Sequence, residues 1–348
     1  MENLRLLLTC LREGRSPDAA ELAEPRASAA RRAEERIPLD QVLTAYLTGA
    51  RLTWDALQRE AAPEDQTELT SYVQVILAYL KEVVATVSRS YVEEQQIIAG
   101  EERDARRELT EALLTAGTAP VTLAERAGIL PLDPCRAVAL RFGATADETD
   151  RAVSTAIAGR RKVRRAVTAF ETLTGGPALT LLDANGGAAI VGLRMPDDLD
   201  ELHRTLSEAI GGEVWLAVSD AVKLPALPAA WRQATEVRHL VSQLQHPAGV
   251  HTLEDVLLER TLTADTATAR RLAAILDPLA EREDLMATLD AWFAADFDRR
   301  AAAQVLMVHP NTLDYRLRRI GELTGKDLTS AAGSQLIGAA LLARKLAQ

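Results

Sequence analysis

The sequence predicts a multidomain protein that is all-helical at its start, α+β in its middle and all-helical again at its end. Three observations carry this prediction. Apolar residues recur at helical spacing through the first 130 residues. Short alternating runs then bracket an Asn-Gly pair, the mark of a hairpin. The last sixty residues hold two short helical patterns joined by a very tight link.

In the first region, Ile37-Pro38-Leu39-Asp40 marks a helix start. Val42, Leu43, Tyr46, Leu47, Ala50, Leu52, Trp54 and Leu57 follow at helical intervals until Pro63 and Glu64. A second run passes from Leu69 through Tyr72, Val73, Ile76, Leu77, Leu80, Val83, Val84 and Val87 to Tyr91. It then becomes strongly charged over Glu101-Glu102-Arg103-Asp104-Ala105-Arg106-Arg107-Glu108. Such a stretch is a solvated helix, or a connecting helix paired with a second chain. Three clean heptads are not visible, which favours the solvated helix. Tyr46, Trp54 and Tyr72 read as core aromatics before they read as a pocket.

The pattern changes near Pro131. Arg136 to Phe142 alternates as a strand, and Asp147 to Leu173 is helical. Ala178 to Asp183 and Ala188 to Leu193 flank Ala184-Asn185-Gly186-Gly187, where a turn needs residues that tolerate positive φ. Leu199 to Ile210 is a helix, Glu213 to Val218 a strand, and Ala226 to Leu244 a further helix. The order β-α-β-β-α-β is the split βαβ of a ferredoxin-like fold. Cys135 reads as a small core residue, since no second thiol lies nearby for a redox switch. Gly175-Gly176-Pro177 and Gly211-Gly212 lack the Lys-Ser/Thr of a phosphate loop and read as turns. His246 and His251, set around Pro247 and Gly249, read as a loop.

From Leu253 the chain is helical: Val256, Leu257 and Leu262 come first, then Ala273 to Leu279 ending near Pro278, then Leu285 to Phe293. Asp298 to Leu306 is a short helix in which Ala302 and Ala303 let a second helix approach closely. Met307-Val308 is the link. Pro310 suits the first turn of the next helix and Gly325 its end. At about 100° per residue, with Leu313 at zero, Leu317 falls near 40° and Ile320 near -20°, forming a buried seam. Asn311, Tyr315 and Arg318 fall about 160°, 200° and 140° away, opposite the seam. Thr312 and Arg319 flank them on one side and Asp314 on the other. An amide and guanidinium groups so placed match the hydrogen-bonding edges of adenine and guanine in a major groove. Arg316, Arg319 and Lys326 suit phosphate, which positions without specifying. Asp314 opposes DNA binding unless it pairs with Arg318 or accepts from a cytosine amine.

Composition bounds the remaining classes. The 348 residues carry 40 Lys+Arg against 50 Asp+Glu, a net charge of -10, with 47% hydrophobic and 26% charged residues. That is a globular balance, not a disordered one. The charge is uneven. Residues 296–348 hold eight Lys/Arg and five Asp/Glu, so a weakly basic end follows an acidic body. No apolar run approaches the roughly 18 residues of a membrane span, and Met1 to Cys10 does not read as a signal peptide. Two cysteines exclude a disulfide framework and a four-cysteine zinc site. The expected location is the cytoplasm. Neither a metal site nor a cofactor is expected, and with no histidine in residues 1–202 a His-ligated haem is excluded there.

The run His309-Pro310-Asn311-Thr312-Leu313-Asp314-Tyr315-Arg316-Leu317-Arg318-Arg319-Ile320, with Glu322-Leu323-Thr324-Gly325, resembles the C-terminal helix-turn-helix of the PucR/CdaR family of bacterial transcriptional regulators. Leu276-Asp277-Pro278-Leu279 and Leu285 to Leu289 resemble that family's lead-in. Ile37 to Tyr46, continued by Gly49 to Trp54, is similar to the RsbR/RsbRD-type sensor domain, a helical, globin-like fold without haem. The β-α-β-β-α-β region resembles a degenerate GGDEF-like domain. A working diguanylate cyclase carries acidic residues on the hairpin for metal and catalysis, whereas here Gly186-Gly187 is followed by Ala188-Ala189. Asp183 alone cannot hold two metal ions, so no enzyme activity is expected.

The resemblance implies three domains: residues 1–115 sensory, 116–252 GGDEF-like and 253–348 DNA-binding. It implies double-stranded DNA as partner, read by Asn311, Thr312, Asp314, Tyr315, Arg316, Arg318 and Arg319. A homodimer is expected, together with an unidentified small-molecule or protein effector. A nucleotide-responsive signalling protein and a stressosome-like scaffold remain as alternatives. The effector, the operator and the sign of regulation are not legible.

Overall fold

The computed structural model describes residues 2–62, 65–129, 133–149, 154–192 and 199–347. The expected breaks at Pro63-Glu64 and Pro131, and the expected strand end at Leu193, lie outside these residues. The chain divides into two compact units, 1–106 with 125–128, and 107–124 with 129–348.

The first unit is built from α1 (Glu2–Glu13), α2 (Ala23–Glu34), α3 (Leu39–Glu60) and the larger part of α4 (Gln66–Ala116). Its core gathers Leu7, Cys10, Val42, Tyr46, Tyr79, Val83 and Val87, with Trp54 and Tyr72 packed against them, so the aromatics are core residues as expected. Tyr91 donates its hydroxyl proton to Ile37 O at 2.8 Å and Tyr79 to Asn3 O at 3.2 Å, so neither buried phenol is left unpaired. Leu47, Leu52 and Leu77, part of the periodic runs, are exposed. The apolar stripe is wider than the face that packs.

The two helical runs of 69–91 and 101–108 are one continuous helix, α4. The charged stretch is not wholly solvated: Ala105 is fully buried, and Glu102 is bridged by Arg106 at 3.0 Å and by Arg36 at 2.9 Å. The i,i+4 pair of Glu102 with Arg106 adds to the helix beside the buried Ala105, Leu109 and Leu113. The short helix α5 (Val121–Ala127) follows.

The second unit opens with β1 (Cys135–Phe142), α6 (Ala146–Thr149), α7 (Thr155–Thr174), β2 (Leu179–Asp183), β3 (Gly186–Gly192), α8 (Leu199–Ile210) and β4 (Val214–Val218). The single helix expected over 147–173 is thus two helices, with residues 150–153 outside the description. Helix α9 (Leu227–Gln243) and a fifth strand, β5 (Gly249–His251), complete it. The sheet order is β2-β3-β1-β4-β5, with β1 antiparallel to both β3 and β4. The first four strands have the split βαβ order that the sequence predicts. Strand β5 corrects the loop expected around His246 and His251: it pairs in parallel with β4 through Trp215, Leu216 and Ala217.

Strand alternation sorts the core onto both faces of the sheet. Val138, Leu140, Phe142, Val214, Leu216 and Val218 pack with Phe170, Leu202 and Leu206 from α7 and α8. Ala139, Trp215 and Ala217 pack with Val237, Leu240 and Val241 of α9. Burial pushes the Cys135 thiol up to about 11, beside a smaller contribution from Asp133, which fits a core residue rather than a reactive thiol.

The hairpin turn differs from expectation in detail. Asp183 pairs with Gly186, so the two turn residues are Ala184 and Asn185. Asp183 Oδ1 accepts from Asn185 N at 2.7 Å and Gly186 N at 3.1 Å. The positive φ values fall on Gly186 (135°) and Gly187 (139°), where a Cβ would lie 2.2 Å from Leu140 O and 1.9 Å from Leu181 O respectively. Only glycine fits either position.

The chain then becomes helical: α10 (Leu257–Ala264), α11 (Thr266–Ala273), α12 (Glu283–Ala294), α13 (Arg299–Val305), α14 (Pro310–Thr324) and α15 (Ala331–Leu346). Val256 and Leu262 are buried as expected, whereas Leu257 is exposed. The segment Ala274–Leu279 is a 3-10 stretch containing Pro278, not the tail of an α-helix, because proline withholds a backbone donor. Leu276, Leu279, Leu285, Leu289, Ile320, Ile337 and Leu341 form the core here.

Candidate nucleic-acid interface

Helices α13 and α14 are joined by residues 306–309 and cross over a small apolar contact. Ala302 and Ala303 of α13 are buried against Leu313 of α14, with Leu306, Val308 and Leu317 around them. Larger side chains at 302 or 303 would hold the helices apart. Each helix start is capped. Asp298 Oδ1 accepts from Arg300 N at 2.7 Å and Ala301 N at 3.0 Å, and these amides hold its carboxyl below the usual carboxylate range. His309 Nδ1 accepts from Asn311 N at 3.2 Å, and Pro310 takes the first turn, where its missing N–H costs nothing. Gly325 ends α14 at φ 67°, a left-handed cap. The link turns through Met307, which holds φ 54° and is 93% exposed.

The wheel drawn from the sequence places the side chains well. Leu313 and Ile320 are fully buried and Leu317 packs beside them. Asn311, Thr312, Tyr315 and Arg318 are exposed, Tyr315 at 64%. They form one outward row over the first three turns of α14.

The remaining residues singled out in the sequence are engaged. Arg299, in the first turn of α13, is ion-paired and hydrogen-bonded to Asp314, so the partner of Asp314 is not Arg318. Arg316 is turned toward α12, its Nε 3.6 Å from Asp284 and its guanidinium within 3.5 Å of Thr288 Oγ1. Arg319 pairs with Glu322 at 2.7 Å. Arg318 and Lys326 sit on the rim of an open cleft of about 1080 Å³ along the flank of α14, whose walls include Trp292 and Leu317. The role of Arg299 was not legible, because its partner lies fifteen residues away. The acidic N-cap at Asp298 was a readable signal for the start of α13. Among the described residues no cluster of three or more His, Cys, Asp or Glu could hold a metal ion, and no helix is long and apolar enough to cross a membrane.

Comparison with known proteins bears on each part of the chain. The RsbT co-antagonist protein rsbRD N-terminal domain matches residues 1–106, the GGDEF-like domain residues 115–240, and the PucR C-terminal helix-turn-helix domain residues 285–343. The carbohydrate diacid regulator of Escherichia coli is 52% identical over 44 residues, 13% of this chain and 11% of that protein. The C-terminal segment, residues 285–343, is thus similar to the PucR helix-turn-helix. The three matches follow one another in the order that the resemblance implied. Uncharacterized proteins of Mycobacterium tuberculosis and Mycobacterium bovis are 26% identical over 272 residues, 76% of this chain. The match spans 63% of the length of these mycobacterial relatives. A solved structure, the regulator of polyketide synthase expression from Bifidobacterium adolescentis, aligns over 72% of this chain and 97% of its own at 19% identity and a TM-score of 0.35.

Proposed function

We propose that the chain is a sequence-specific, DNA-binding transcriptional regulator. The observation that carries this reading is the exposed row Asn311, Thr312, Tyr315 and Arg318 on α14, held outward by the seam that Leu313 makes with Ala302 and Ala303. The match of residues 285–343 to the PucR C-terminal helix-turn-helix domain and the name of the Escherichia coli relative support it. In this reading α14 enters the major groove and α13 crosses the backbone. Asn311 and Arg318 read base edges, with Thr312 and Tyr315 beside them. Arg319 and Lys326 meet phosphate. Asp314, on the flank of the outward row, and Arg316, on the side facing α12, tie α14 to α13 and α12 through Arg299 and Asp284.

The working division is residues 1–115 for sensing, 116–252 for a non-catalytic GGDEF-like body and 253–348 for DNA. The active species is a homodimer in the cytoplasm, since a dimeric helix-turn-helix measures half-site spacing. An effector acts on the helical or the α+β domain, and α4, which runs unbroken from residue 66 to 116, is the covalent path for the signal.

The test is capture of genomic fragments by the purified chain at two salt concentrations, beside an Asn311→Ala/Arg318→Ala control. A discrete motif that is absent in the control and weakens with salt supports the reading. Equal recovery by the control overturns the assigned face.

A further inference from the structure

Catalytic relatives of the GGDEF-like fold hold a divalent metal with carboxylates of the hairpin, and the residues present here do not fit one. Positions 184 to 189 read Ala-Asn-Gly-Gly-Ala-Ala. Asp183, the remaining carboxylate of the hairpin, is engaged in closing the turn through Asn185 N and Gly186 N. Beside that turn lies a different cation. Lys162 of α7 is 3% exposed. Its Nζ donates to Gly143 O, just past the end of β1, at 2.9 Å, and to Ala184 O of the turn at 3.1 Å. It also lies 2.5 Å from Glu148 Oε2 of α6.

An ammonium has three protons, and these three oxygens take all of them. The cage is itself fixed. Glu148 accepts from Thr145 N at 2.9 Å and Thr145 Oγ1 at 3.2 Å. Gly159, one turn before Lys162, lets Ala184 approach to 3.0 Å of where a Cβ would stand. A divalent ion needs oxygen ligands at about 2.0–2.6 Å and would have to share this space with a fixed positive charge. Nothing in the cage can relax to admit it without leaving the buried ammonium unpaired, a state folded proteins avoid.

We propose that the Lys162 ammonium is a built-in cation of the middle domain. It sits beside the β2–β3 turn, clamps β1, α6, α7 and the hairpin together, and closes that position to divalent metal. The proposal deepens the reading of that domain as non-catalytic and is independent of DNA recognition by α14.

The experiment uses the full-length chain. Thermal melts are recorded in chelator, in 10 mM MgCl2 or MnCl2, and in NaCl of matched ionic strength, for the wild type and for Lys162→Met. The wild-type midpoint is expected to be the same in all four. Lys162→Met, which keeps the length of the chain and removes its charge, is expected to lower the midpoint on the order of 10 °C. A wild-type midpoint raised by either metal above the NaCl control overturns the proposal, and so does a Lys162→Met midpoint equal to the wild type. Should Lys162→Met fail to fold, the wild-type protein decides the matter by nuclear magnetic resonance. The protected 15Nζ signal of Lys162 should keep its width when Mn2+ is added, and selective paramagnetic broadening of that signal would overturn the assignment. Loss of DNA binding by the wild type touches none of these outcomes.

Discussion

Arg299 at the start of α13 is ion-paired with Asp314 in α14, so the carboxylate nearest the outward row is neutralised from the neighbouring helix. Unpaired, that carboxylate would face the phosphates. Arg299→Ala is expected to weaken DNA binding by up to about fivefold, the scale of an exposed ion pair worth roughly 0.2–1 kcal/mol. Asp314→Asn added to Arg299→Ala should restore most of the loss. Binding isotherms at one fixed salt concentration check this, and additive losses in the double variant would remove the neutralising role.

Base reading and phosphate anchoring separate by salt. Asn311→Ala and Arg318→Ala should each reduce discrimination among operator sequences by about 1–3 kcal/mol and leave the salt dependence nearly unchanged. Lys326→Ala should weaken all sequences alike and lower the slope of log K against log salt by about 1. Arg316 is buried against α12 for most of its length, so Arg316→Ala should lower the melting temperature more than the slope. Competition titrations with operator and scrambled duplexes, run at three salt concentrations, distinguish these behaviours.

The link between α13 and α14 carries a cost that a single substitution can remove. Met307 adopts φ 54° with its side chain in solvent, a conformation that disfavours any residue with a Cβ. Met307→Gly is expected to stabilise the second unit by about 1 kcal/mol, and Met307→Val to destabilise it. Urea unfolding of the three proteins measures the order. A less stable glycine variant would mean that the thioether contributes packing that outweighs the strain.

A pH dependence follows from His251 on β5. Burial lowers its pKa, against an opposing hydrogen bond in which Nε2 donates to Pro247 O at 3.0 Å; His246, Asp255 and His203 are the titratable neighbours. The folded value is below the unfolded one, near 6.5. Its stabilising contribution is therefore complete above about pH 6.5 and is lost as the pH falls through the folded value. Unfolding free energies at pH 8 and pH 5.5 should differ more for the wild type than for His251→Gln. Parallel losses would assign the acid sensitivity to other groups.

The helix-turn-helix was legible because its signals are local. Small residues at 302 and 303, proline at 310, glycine at 325 and a three-residue seam all act within one turn of where they stand in the sequence. The split βαβ order was legible for the same reason, through alternation and an Asn-Gly pair. What escaped depends on distant partners. Strand β5 is three residues long and exists because β4 offers it an edge. Past the charged stretch α4 continues on a sparse buried row, Ala105, Leu109 and Leu113, beside ion pairs from Glu102 to Arg36 and Arg106, a row that the surrounding charges mask in the sequence. The pairing of Arg299 with Asp314, and the cage around Lys162, join residues 14 to 22 positions apart. The hairpin was expected at the right place, but its turn lies on Ala184-Asn185, because Asp183 can close it there and the two glycines are needed where the backbones nearly touch.

The hairpin also restricts which of its positions could carry a charge. Ala188 and Ala189 are enclosed in the sheet, so a carboxylate introduced at either would be desolvated at a cost of several kcal/mol before it could meet any ligand. Gly186 and Gly187 admit no side chain at all. Of the hairpin positions from 184 to 189, only the turn residues Ala184 and Asn185 could take a charged side chain without burying it.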